Sequence, residues 1–476
     1  MLFNSFQFLF FFIIVTSLYF AIPYKKRWLL LLVSSCYFYM AFVPIYILIL
    51  GFTIVIDYFA GIFLENAEGR RRKLFLIFSL VANIGVLAVF KYFNFINKNF
   101  SILLKGFALN NPLPYLKIIL PIGLSFHTFQ AMSYTIEVYR GNQKAERHFG
   151  IYALYVMFYP QLVAGPIERP QNLLHQFREK YIFEYDRVVE GIKLMLWGLF
   201  KKLVIADRLA NYVNAVYDNP VQHNGTTFVL ATIFFAFQIY CDFSGYSDIA
   251  IGVAKVMGFK LMTNFNRPYF ASNISEFWKR WHISLSTWFR DYLYISLGGS
   301  RVSIPRWYFN LLLVFLISGL WHGANWTFII WGTLNGFYLV FAIISQGLRD
   351  KFNRITGIGR LPKLNHILQI LITFMLSCFA WIFFRANNVS DAFLIIKKIF
   401  LFSGTLYIGE IQKMLYCIIG IIFLIIIEIR CEYFAHWTFP FKTNHWLQEQ
   451  IAYAFLIVLI LLLGVFDGGQ FIYFQF

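Results

Sequence analysis

Apolar runs recur from end to end: Phe8 to Ile22, Trp28 to Phe42, Ile45 to Leu64, Leu74 to Val89, Phe228 to Ile239, Phe309 to Leu320, Phe328 to Ile344, Ile367 to Phe384, Met414 to Ile427 and Ile451 to Val465. Several approach the roughly 20 residues that cross a hydrocarbon core of about 30 Å. No other feature restricts the fold as strongly. Lipid offers backbone N–H and C=O groups no partner, so a spanning segment must satisfy them within a helix or a closed barrel. The ten-residue alternation of a barrel strand is missing, and the chain reads as an all-α polytopic membrane protein with about ten to thirteen buried helices. Composition agrees: 59% of residues are hydrophobic and 13% charged, where soluble chains carry about 25% charged residues. The first run lacks a basic leader and a small-residue cleavage site, so it reads as a span and not a cleavable signal.

The formal net charge of +18 sits in short loops between the spans, which makes it a record of orientation and not a nucleic-acid footprint. Lys25, Lys26 and Arg27 follow the first span, Arg70 to Lys73 follow the third, and Arg349, Lys351, Arg354, Arg360 and Lys363 fill the loop at 346–364. The positive-inside rule places these loops in the cytoplasm and both termini outside. One transmembrane domain over 1–476 is expected, with N-terminal helices (1–90), a core (91–345), a cytoplasmic loop (346–364), C-terminal helices (365–466) and an external aromatic tail (467–476). Five scattered cysteines without a CxxC pair suggest neither a zinc site nor a disulfide framework.

Between roughly 91 and 310 charged and aromatic residues alternate with short apolar pieces, and irregular or re-entrant backbone is expected there; at membrane depth it is tolerated only where protein buries it or a cavity solvates it. "DRVVEGIKLMLWGLFKKLVIADRL", Asp186 to Leu209, mixes lysines with bulky apolar residues and reads first as an interfacial amphipathic helix, second as a span with snorkelling lysines. No fixed-period repeat or matched pair of halves is visible.

Two of nine histidines sit in organised segments. His282 lies in "NISEFWKRWHISLSTWFRDYLY". Asn273 with Glu276 fits a capping box and Glu276 to Arg280 an i,i+4 pair, so a helix is expected to start there. On it Trp278, Trp281, His282, Leu285 and Phe289 share one side, turning His282 inward; packing among tryptophans would also explain that. His322 lies in "SGLWHGANWTFIIWG", almost without other ionisable groups for a dozen residues either way. An ionisable residue in hydrocarbon is costly and reads as functional by default. The glycines at 319 and 323 form a G-x-x-x-G that close helix packing alone would explain.

Asp242 and Asp248 interrupt an apolar stretch in "QIYCDFSGYSDIAIG", and Pro160, Gly165 and Pro166 break another before Glu168 and Arg169. Each could line a cavity, though for the aspartates pairing with a basic residue or holding a broken helix is favoured over catalysis. No phosphate-binding glycine loop or zinc-hydrolase motif is present.

Together these segments resemble the membrane-bound O-acyltransferase family, in particular its bacterial branch that exports acyl groups to cell-envelope polymers. The matching pieces are "MLFNSFQFLFFF", "LPIGLSFHTFQAMSYTIEVYRG", "YPQLVAGPIERP", "DFSGYSDIAIG", "FWKRWHISLSTWFRDYLYISLGG", "GLWHGANWTFIIWG" and "WIFFRA", spread over nearly the whole chain. The pattern is most similar to the transmembrane proteins of alginate and peptidoglycan O-acetylation.

The resemblance implies helices around a funnel, with the family's near-invariant histidine on His322 and its second motif histidine on His282. It implies a cytoplasmic acyl thioester such as acetyl-CoA as donor substrate, no permanently bound cofactor and no metal. It also implies an inner-membrane location and an extracytoplasmic SGNH-type acyltransferase or acyl carrier as partner. The ending "FIYFQF" is similar to the aromatic motif of the related D-alanylation system, which makes Tyr473 a candidate acyl relay; an interfacial aromatic anchor is the alternative. His322 is then the expected base on an acceptor hydroxyl or, by a second route, a covalent acyl carrier. His282 would orient the donor or stabilise the oxyanion, with Asn325, Trp326, Asp242 and Asp248 as candidate lining residues. A D-alanyl or lipid acyltransferase of the same fold, and a transporter or flippase, are the alternative readings.

Overall fold

The computed structural model describes residues 1–117, 121–434, 445–466 and 471. Its described residues fold into helices and connecting loops, with no strand among them. Eight helices among them are long and apolar enough to cross a membrane, from Pro44–Asn66 to Trp446–Leu463. Their outer faces expose large apolar side chains such as Leu48, Val81, Leu371 and Leu462, as lipid-facing surfaces do. Tyr473 and most of the 467–476 tail lie outside the described residues; of that tail only Phe471 is described.

The chain divides into two compact units. The first comprises residues 1–195 and 249–262. Its opening helix, Phe6–Ala21, starts where the Ser5 side chain accepts from Phe8 N. In lipid the hydrophobic effect gives helices no reason to associate, so close approach and polar bonds must do so. Both are visible. Asp57, on Ile47–Asn66, accepts from Ser79 Oγ at 2.6 Å and from Asn83 Nδ2 at 2.9 and 3.0 Å, joining that helix to Gly69–Leu87. Gly61 lies against the Tyr134 ring, where a Cβ would stand 2.6 Å away, seating Leu124–Arg140.

The irregular backbone expected in the middle of the chain begins here. Phe149–Met157 is helical, and the chain then turns through 158–169, buried almost throughout. Side chains satisfy this loop: Gln130 and Gln161 both donate to Tyr155 O, and the Tyr155 hydroxyl lies 3.0 Å from Glu168 O. The Glu168 carboxylate accepts from Met262 N, and burial pushes its pKa up to about 7 despite that bond and those from Asn172 and Arg169.

The second unit comprises residues 196–248 and 263–472. Its best-packed feature is the hairpin of Ile304–His322 and Trp326–Ile344. A Cβ on Gly319 would stand 2.3 Å from Phe328 O, and Gly332 makes the matching approach to Phe315 O. Gly319 is thus a packing glycine whose counterpart is Gly332. Gly323 does something else: it ends the first helix.

Two sequence expectations are corrected. The 186–209 segment is not an interfacial helix along its length. Tyr185–Leu199 gives way to a π-helix at Phe200–Ala206 whose seven residues are all buried. Lys201 and Lys202 turn inward because carboxylates meet them there. The 273–294 segment is not one helix either: Ile274–Arg280 stops, Trp281 is extended, His282 has φ +43°, and Ile283–Phe289 begins afresh. The start was read correctly, since Asn273 Oδ1 accepts from Glu276 N at 2.9 Å and Arg280 pairs with Glu276 at 2.7 Å. Arg280 also reaches Glu432 at 2.8 Å.

Candidate active site

His322 is the last residue of its helix and is 3% exposed. The break after it removes the following helical turn, and aromatic rings fill the space. Trp331 meets the imidazole edge to face at 4.9 Å, and Phe384 lies at 5.4 Å. Asn325 starts the next helix, its side chain accepting from Thr327 N at 3.2 Å while its amide nitrogen donates to Asn387 O. Asn325 is therefore a cap. Trp326, the first helical residue, is 52% exposed; the tryptophan of this helix that reaches His322 is Trp331, five positions on, which the sequence reading missed.

His282 is 1% exposed and stands at the break between its two short helices. A left-handed residue other than glycine costs about 1–2 kcal/mol, and such strain gathers where a side chain must be aimed. The ring lies edge-on to Phe243 at 4.5 Å and 6.2 Å from Trp321. Burial holds its pKa down at about 3, so the imidazole is neutral.

The structure brings the two histidines together. Trp321 lies 6.2 Å from His282 and 5.0 Å from His322, which bounds the imidazole separation at about 11 Å. A second aromatic path runs from Trp331 to Trp381 at 5.7 Å, to Trp281 at 5.0 Å and to Phe265 at 5.1 Å, which stacks on His282. In such water-poor surroundings a dipole or charge aimed at a reacting carbonyl is worth far more than in water.

The aspartates belong to the frame of this site. On the Gly225–Met257 helix, residues 242, 245 and 248 recur every three positions and face the π-helix. Lys202 Nζ lies 2.7 Å from both Asp242 Oδ1 and Asp207 Oδ1, and Lys201 Nζ lies 2.6 Å from Asp248 Oδ2 and 2.8 Å from Ser244 Oγ. Gly245 lets the backbones meet, for a Cβ there would stand 2.8 Å from Gly198 O. Phe243 and Ser247, four apart on another face of the helix, reach His282 and Asn264. The ion pairs thus fix the rotation of the helix that carries the ring packed on His282.

Asn264 was missed in the sequence. It is fully buried in the irregular stretch after Gly258, and its side-chain oxygen lies 3.1 Å from His282 Nδ1. The one available signal was a polar residue in "KLMTNFNRPYF", between a glycine and a proline, where no helix can form. Phe471 is 1% exposed, with its ring 5.4 Å from Phe243 and 5.0 Å from Tyr246, so one tail residue packs against the ring that covers His282.

Similarity to known proteins covers the stretch that holds both histidines. Residues 147–385, which hold both histidines, match the model of MBOAT, the membrane-bound O-acyltransferase family. The chain is 39% identical to the probable alginate O-acetylase of Pseudomonas aeruginosa over 87% of its own length and 77% of the relative's. It is 39% identical to the peptidoglycan O-acetyltransferase of Helicobacter pylori over 79% and 73%, and 28% identical to the teichoic acid D-alanyltransferase of Bacillus subtilis over 56% and 69%. These matches set the transporter alternative aside and agree with a multi-pass inner-membrane protein. With two motif histidines gathered around one tryptophan, and acetyl-transferring relatives along most of its length, the protein is a membrane O-acetyltransferase and belongs to the membrane-bound O-acyltransferase family.

Proposed function

We propose that the protein takes an acetyl group from a cytoplasmic thioester, acetyl-CoA, and passes it across the membrane for O-acetylation of an extracytoplasmic polysaccharide of the peptidoglycan or alginate kind. An SGNH-type acyltransferase or acyl carrier outside the membrane completes the transfer. Both termini face outward, with the basic segments at 70–73 and 346–364 in the cytoplasm, and residues 91–345 form the catalytic core around a funnel. The observation that carries this reading is the approach of His282 and His322 around Trp321 inside an aromatic enclosure.

His322 acts as general base. It takes the proton of an acceptor hydroxyl as that oxygen attacks the thioester carbonyl; the C–S bond then breaks and the departing thiolate takes up a proton. Tyr473 is the acceptor proposed, because a phenol with a pKa of about 10 needs such a base. Its support is the aromatic ending "FIYFQF", whose described residue Phe471 packs against Phe243. His282 either orients the donor or stabilises the oxyanion.

The test is transfer of labelled acetyl from acetyl-CoA by the full-length protein in nanodiscs. His322→Ala should fold and lose about 10²- to 10⁴-fold in rate, the usual worth of a positioned base. Near wild-type transfer by that variant would sink the assignment. Loss of protein-bound label in Tyr473→Phe supports the relay, and unchanged labelling reduces the tail to an interfacial anchor.

A further inference from the structure

The His282 side chain does not cap the helix that begins after it. Asn264 does so from a distant stretch of chain. Its backbone carbonyl accepts from Ile283 N at 2.8 Å, and its side-chain oxygen from Ser284 N at 3.3 Å and Ser284 Oγ at 2.9 Å. The amide nitrogen donates to Ser247 Oγ at 3.1 Å. Every polar atom of the Asn264 amide is therefore occupied by protein in a fully buried position.

These bonds decide which way round the amide sits. A backbone N–H can only donate, so the Asn264 atom facing Ser284 N is the oxygen. The same oxygen lies 3.1 Å from His282 Nδ1. An oxygen that only accepts requires a nitrogen that donates, so Nδ1 carries the proton and, in the neutral ring, Nε2 carries the lone pair. Burial, which disfavours the imidazolium, keeps the ring neutral at physiological pH.

We propose that Asn264 is a positioning residue that fixes His282 as its Nδ1–H tautomer, so that Nε2 accepts a hydrogen bond from an N–H of the acyl-thioester donor. The inference rests on the reading of His282 as part of the transfer site, and it selects between the two roles left open for that residue. A lone pair repels a developing oxyanion, so His282 orients the donor, and the groups that stabilise the oxyanion lie elsewhere. Ser247 is the outer link: it locks the amide that locks the ring, and it sits on the same helix as Phe243, which covers the ring's face.

The experiment is ring-15N NMR of histidine-labelled full-length protein in nanodiscs, with the His282 signals identified by their absence in His282→Gln. In the wild type, the nitrogen coupled to a proton should be Nδ1. Asn264→Asp, which keeps an acceptor oxygen, should retain that pattern, whereas Asn264→Ala should move part of the population to Nε2–H. Ala should also raise KM for acetyl-CoA by about 10-fold or more with a smaller change in kcat, the scale of losing an outer partner that orients a histidine. A wild-type proton on Nε2 overturns the proposal, as does an Asp variant that shifts it; both measurements stand even if the Ala variant does not fold. Nδ1–H together with undiminished transfer by His322→Ala and His282→Gln would leave the tautomer intact and defeat the functional reading instead.

Discussion

Lys202→Met tests the claim that ion pairs hold the frame of the site. Lys202 Nζ stands 2.7 Å from Asp207 and 2.7 Å from Asp242, and the three side chains are only 7%, 7% and 4% exposed. Removing the ammonium takes one counter-charge from two buried carboxylates. Breaking a buried pair in this one-sided way costs about 3–5 kcal/mol, whereas replacing all the charges together is often neutral. Unfolding entropy of about 2.1 cal/mol/K per residue, over the 476 residues, converts 1 kcal/mol into about 1 °C. Lys202→Met should therefore melt about 3–5 °C below wild type. Lys202→Met combined with Asp207→Asn and Asp242→Asn should regain most of the loss. A dye that fluoresces on reaction with thiols provides the assay, because Cys241 is buried beside Asp242; the other four cysteines are first replaced by serine or alanine. If the single variant melts within about 1 °C of wild type, or the triple variant melts below the single one, the ion-pair account is wrong.

Two further outcomes follow from packing and protonation. Gly319→Ala places a Cβ 2.3 Å from Phe328 O, a backbone atom that cannot swing away, so stability should fall by about 1–3 kcal/mol or more. Gly85→Ala, with nothing within 4 Å, is the control; equal melting of the two variants would refute the hairpin contact. Glu168 has its native pKa raised from 4.5 to about 7, so over that window the native state holds a proton that the unfolded chain releases. Its contribution to stability is thus full below about pH 4.5 and falls as pH rises to about 7, by about 3 kcal/mol in all. Glu168→Gln should flatten this slope in melting curves taken across the window, and an unchanged slope in the variant would assign it to other groups.

The helical membrane fold was legible because lipid enforces it: ten apolar runs leave the backbone no other solution. His322 stood out for the same reason, as a polar group in costly surroundings, and His282 as the inward member of an aromatic helix face. What could not be read was where helices stop. The Asn273 cap and the Glu276–Arg280 pair correctly marked a start, yet local propensity alone would carry that helix through His282. The break is stabilised by Asn264, separated from it by the 18 residues to His282, and local patterning has no access to such a partner. The 186–209 segment misled in the opposite way. Lysines among leucines read as an interfacial face only if their partners are lipid headgroups; here the partners are Asp207, Asp242 and Asp248.

Breaking the helices is what makes the histidine pair possible. In an uninterrupted helix a side chain shares its neighbourhood with residues three and four positions away, and an inward ring meets one facing ridge. His322, as the last helical residue, instead meets Trp331 from the returning helix and Phe384 from the Pro362–Arg385 helix. His282, in its left-handed kink, meets Phe243 from the Gly225–Met257 helix and Trp321 from the hairpin. Each ring thus draws surroundings from helices other than its own, and Trp321 borders both. Restoring a regular helix at His282 would relieve its strained dihedral yet turn the imidazole away from Asn264 and Phe243. The cost of the kink is therefore retained for the direction in which it aims one nitrogen.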